Sequence, residues 1–149
     1  MLLVALLAVV VVLPGSAAGD GAARLDCLAT PRAARAPTPA LAGLSRSWWV
    51  RNRVWMGVAG AFHGEGFRAV PTGQKIGWYR QRPGALRLFA KRLDGPPSTF
   101  TSSVPCCYGP SGFQPTSLTF GASGCWALTA VVGREASRFT VRVAPATPG

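Results

Sequence analysis

Residues 108–143 read YGPSGFQPTSLTFGASGCWALTAVVGREASRFTVRV, and their pattern decides the fold. Trp126, Leu128, Ala130 and Val132 fall on one face at period two, with Cys125, Ala127, Thr129 and Val131 on the other. Such alternation marks a strand with one heavier, buried face. Phe139, Val141 and Val143 then alternate with Arg138, Thr140 and Arg142, apolar side in and arginines out. Residues 133–137 lie between the two and predict a hairpin with a five-residue loop. Upstream, residues 117–120 (SLTF) predict a shorter strand, and the small residues 121–124 a corner. The whole stretch therefore predicts the last three strands of an antiparallel β-sandwich.

Strand, corner, strand, turn, strand is also how many immunoglobulin-like sandwiches finish. Gly124-x-Trp126 sits where those domains often carry Gly-x-Tyr, the corner aromatic. Antibody domains place a core cysteine two residues after it. Here that position is Leu128, and Cys125 is on the opposite face. A central disulfide between the sheets is not expected.

Working outward, residues 48–50 and 53–58 predict the first two strands, joined at Arg51-Asn52. Residues 60–66 (GAFHGEG) form a glycine-rich loop holding His63 and Glu65, and 67–70 a short strand. Residues 75–79 and 86–92 are strands about a turn at 80–84. The string WYRQRPGALRLF (78–89) looks like the hairpin of antibody variable domains without their cysteines, and reads as shared hairpin chemistry. Leu93-Asp94-Gly95-Pro96-Pro97 predicts a turn, since Asp-Gly accepts positive φ and the prolines stop pairing. Residues 100–104 predict an edge strand, and 106–112 an ordered loop.

The 149 residues allow one domain of ordinary size. Residues 1–19 begin with an apolar run and end in small residues, the pattern of a signal peptide with its hydrophobic helix. The run is short for a membrane span, which needs ~20 residues. Cleavage is therefore expected, and an uncleaved anchor is the alternative. Residues 20–43, rich in proline, alanine and arginine, read as a tail or linker held at Cys27. Residues 44–143 are the sandwich and 144–149 a carboxy-terminal tail.

Sixteen basic residues against five acidic give a net charge of +11. The arginines are scattered rather than clustered, so specific nucleic-acid binding is not expected. A surface for anionic glycan, lipid or nucleic acid is an alternative reading. Cys27, Cys106, Cys107 and Cys125 read as two disulfides of an exported protein. The preferred pairing joins Cys125 to one of the adjacent cysteines and Cys27 to the other. A thiol-based metal or redox function of Cys106 and Cys107 is the other alternative.

Further signposts follow in order: Trp48-Trp49, Trp55-x-Gly57, Lys75-x-x-Trp78, Arg92-Leu93-Asp94-Gly95, Tyr108-Gly109-x-x-Gly112-Phe113-Gln114, Gly124-Cys125-Trp126-x-x-Thr129 and a closing Phe-x-Val-x-Val. Over residues 47–143 the chain resembles a family of uncharacterised exported bacterial proteins, often lipoproteins, with a GYG-x-x-GFQ loop and a GCWEVT strand. That resemblance implies an immunoglobulin-like sandwich in the cell envelope and lends no activity. The chain departs from the pattern at Ala127, where many members have glutamate, and at Cys106-Cys107.

One histidine and five acids supply no acid, base and nucleophile in a constellation. No catalytic residue, cofactor site or metal site is assigned. The expectation is a non-enzymatic binding or structural module, secreted or in the cell envelope, with a glycan or protein partner. Membrane attachment is expected only with an uncleaved leader. Its candidate binding surface is Tyr108, Phe113 and Gln114 with Trp126 and His63.

Overall fold

A computed structural model describes residues 27, 29–45, 47–58 and 66–146. The leader and His63 lie outside the described residues. Within them the chain is all-β, with two sheets packed as a sandwich. The strands are β1 (Trp48–Arg51), β2 (Val54–Val58), β3 (Phe67–Arg68), β4 (Gln74–Arg80), β5 (Leu86–Arg92), β6 (Phe100–Ser103), β7 (Gly112–Phe120), β8 (Gly124–Val132) and β9 (Glu135–Ala144). One sheet has the order β1-β2-β4-β7-β6 and the other β3-β9-β8-β5. All pairs are antiparallel except β3 with β9.

The alternation read from residues 126–143 is the burial pattern of β8 and β9: Trp126, Leu128, Ala130, Val132, Phe139, Val141 and Val143 are buried. The turn between them is tighter than expected. Val132 pairs with Glu135, leaving two turn residues, and Gly133 takes φ 62°. Glycine at positive φ in the first turn position matches the twist of paired strands, so the ladder closes earlier than a five-residue loop allows.

Two further expectations are corrected. The 78–89 string is not a hairpin: β4 and β5 lie in different sheets, and residues 81–85 cross between them. β7 also starts at Gly112 rather than at residue 117. Pro115 is tolerated within it because β6 ends at Ser103, opposite Ser117, leaving that side of β7 unpaired.

The core holds Trp78 and Trp126, both fully buried. Trp78 meets Phe139 edge to face across the sheets, ring centroids 6.0 Å apart, and Trp126 meets Phe120 at 5.2 Å. Edge-to-face rings of this kind add about 1 kcal/mol beyond area burial. The Trp126 indole N–H donates to the Ala122 carbonyl at 3.1 Å, tying the corner to the strand it opens. On the outer face of the larger sheet, Gly57 and Gly77 stand side by side. The Trp48 ring covers the first and the Phe113 ring the second; a β-carbon would come within 2.8 Å and 2.7 Å of them.

The amino-terminal segment lies against this frame. Cys27 is bonded to Cys125. Thr30 exchanges two hydrogen bonds with Thr140 of β9, both 2.8 Å, and the Ala33 N–H donates to Trp48 of β1 at 2.6 Å. The segment thus crosses from the edge of one sheet to the edge of the other. A short 3-10 turn, Pro39–Leu41, continues it beside Trp55.

Candidate functional site

The disulfide differs from the pairing preferred from sequence. Cys27 and Cys125 join to each other, Cα to Cα 5.5 Å, and Cys106 and Cys107 are free and exposed. The reason is placement. Cys125 lies on the outer side of β8, where the amino-terminal segment passes, whereas Cys106 and Cys107 lie on the β6–β7 loop of the opposite sheet. Asp94 supports the bonded cysteine: it accepts from the Cys125 N–H at 2.7 Å and from Arg92 Nε at 3.2 Å.

The residues of the expected binding surface fall in different environments. Trp126 is fully buried in the core. Phe113 covers Gly77 on the sheet's outer face. Gln114 points inward, 5 % exposed, and its Nε2 donates to the Pro105 carbonyl at 2.9 Å. Tyr108 is 44 % exposed. Tyr108 and Gln114 do share one recess, of about 230 Å³, with Cys106, Cys107 and Arg80.

Arg80 is the residue that sequence reading passed over. It ends β4 on the inward face and is 2 % exposed. Its guanidinium donates to the carbonyls of Gly84 at 2.5 Å and Gly109 at 2.7 Å, with a longer contact to Pro110 at 3.4 Å. Burial lowers its pKa, because desolvation disfavours the charged form. The carbonyl cage answers part of that desolvation, and it fastens the 81–85 crossover to the 104–111 loop. An alternating pattern with Arg80 in phase with Ile76 and Trp78 is the signal that could have found it.

A second, larger cavity of about 570 Å³ opens where the amino-terminal segment meets the paired edges. Trp49, Phe67 and Val141 supply apolar wall; Thr30, Thr140, Arg32, Arg68 and Arg142 supply polar groups. Arg32 stands over the Trp49 ring, 6.0 Å from its centroid. Sequence could not place this cavity, because its walls come from four separate segments. The tryptophans do not form an exposed row: Trp48, Trp49, Trp78 and Trp126 are buried and Trp55 is half-buried.

Compared with known protein families, curated proteins and solved structures, the chain finds no match.

Proposed function

We propose that this chain is an exported cell-envelope protein whose immunoglobulin-like sandwich acts as a non-enzymatic binding module. The observation that carries the reading is the 570 Å³ cavity, which has the size and mixed lining of a small-ligand site. The strand order supports the fold assignment. β2-β4-β7-β6 follows the A-B-E-D order of an immunoglobulin sheet, and β5-β8-β9 the C-F-G order. β1 is an addition at one edge. The corner aromatic is Trp126, with its indole bonded back to Ala122.

The ligand class that fits is an envelope glycan fragment carrying an anionic group. Its ring would lie on the apolar wall, and its hydroxyls and charge would meet the threonines and guanidinium groups. The test is calorimetric titration with fragments of anionic envelope polysaccharide, in the wild type and in Ala144→Trp, which fills the cavity. Binding that weakens with salt and is lost in the variant, at unchanged melting temperature, supports the reading. Binding that survives the filled cavity overturns this site.

A further inference from the structure

The Cys106–Cys107 pair belongs neither to the stapling disulfide nor to that cavity. The loop that carries it is fastened on both flanks. Before it, the Pro105 carbonyl accepts from Gln114 at 2.9 Å. After it, Gly109 and Pro110 are held by the buried Arg80 guanidinium. Cys106, Cys107 and Tyr108 are left exposed between these two anchors. The two sulfurs are turned to the same side, 2.6 Å apart. Cys107 holds φ 72°, the left-handed region that a residue with a β-carbon seldom occupies. Such outliers persist where surrounding structure enforces them, and they gather at functional positions. Here the enforced conformation brings neighbouring thiols into contact.

We propose that Cys106 and Cys107 form a vicinal thiol–disulfide exchange site, whose substrates are disulfides of small thiols or of exposed protein segments. The thiolate of Cys106 attacks one sulfur of the external disulfide. A new S–S bond forms, the external bond breaks, and one thiolate leaves with its electron pair. Cys107 gives its proton to solvent and its sulfur attacks Cys106. The second external thiolate leaves, and the Cys106–Cys107 bond closes. Two protein thiols are oxidised by two electrons, and one disulfide is reduced to two thiols. The reverse sequence reopens the pair.

The roles follow from the contact between the sulfurs. The hydrogen bond with Cys106 pushes the Cys107 thiol above its ordinary range, and desolvation acts in the same direction. Because the sulfurs are already in contact, the second is within reach of the first once the mixed disulfide has formed, as a resolving cysteine must be. A tetrahedral thiolate metal site fits less well. Among the described residues no third histidine, cysteine, aspartate or glutamate stands near enough to complete a ligand group.

The test uses the full chain with Cys27–Cys125 intact, equilibrated in glutathione buffers from reducing to oxidising. Samples are acid-quenched, alkylated and read by intact and peptide mass. The expected result is joint loss of both alkylatable thiols, a mass lower by two hydrogens, and a single peptide linking Cys106 to Cys107. Cys107→Ser should instead accumulate glutathione on Cys106. Stable glutathione on both cysteines of the wild type overturns the proposal, as do two thiols that stay free in the most oxidising buffer. Unchanged melting of the serine variant confirms that its loop still folds.

Discussion

The Trp78 indole N–H donates to the Thr116 hydroxyl at 3.0 Å, with both side chains almost completely buried. One polar pair thus joins β4 to β7 in the middle of an aromatic core. Thr116→Val keeps the shape and removes the acceptor, so the indole is left buried and unsatisfied. Destabilisation of about 1–3 kcal/mol is expected. Urea unfolding should show a lower midpoint at unchanged slope. A midpoint equal to the wild type would mean that another acceptor takes the indole.

Arg80→Met should lower stability by about 2–3 kcal/mol, because carbonyls now bonded to a charged donor lose it. The loss should be local in its first effect. Amide exchange is expected to quicken in residues 104–111 and 81–85 before it quickens in β8 and β9. Uniform quickening would place Arg80 in the global core rather than at a junction of two loops.

The Cys27–Cys125 bond spans 98 residues. In the chain-entropy treatment a loop of that size contributes about 5 kcal/mol. Cys27→Ser should lower the melting temperature and expose the Thr30 and Ala33 amides to exchange, while the two-sheet circular dichroism persists at low temperature. Retained protection at Thr30 would show that its bonds to Thr140 hold the segment without the staple.

Burial pushes the Asp94 carboxyl up, but the Cys125 N–H and Arg92 outweigh it, and the net shift is downward from 3.8. A folded-state pKa below the unfolded one contributes stability above the unfolded value, and loses it as pH falls through the folded value. Melting temperature should therefore drop below pH 3.8, and Asp94→Asn should flatten that part of the profile. An unaltered acid slope in Asp94→Asn would assign the slope to other carboxylates.

Local alternation made β8 and β9 legible, since Trp126 to Val132 and Phe139 to Val143 bury alternate side chains. It could not say which sheet a strand joins. β4 and β5 look like one hairpin because Arg80 to Leu86 has hairpin chemistry, yet Leu86 pairs with Val132 and Arg80 with Val54 and Gly112. The candidate sites were less legible still. Tyr108 and the adjacent cysteines stand out in the sequence, but the inward turn of Gln114 and Arg80 depends on register. The larger cavity depends on where residues 29–32 cross to the second sheet, which the Cys27–Cys125 bond and the Thr30–Thr140 and Ala33–Trp48 hydrogen bonds fix together.

That bond also sets a chronology. The chain is made amino end first, so Cys27 meets Cys106 and Cys107 before Cys125 exists. Its first available partners are the wrong ones, and Cys125 becomes available only as the last two strands are made. Uncatalysed disulfide reshuffling takes minutes to hours. In the reduced full-length chain, too, Cys106 and Cys107 compete with Cys125 for Cys27, so oxidative refolding should be slow and speed up with a disulfide isomerase. The double variant Cys106→Ser, Cys107→Ser should refold fast without one. The adjacent cysteines thus make maturation of this sandwich depend on thiol traffic, although neither ends in its staple.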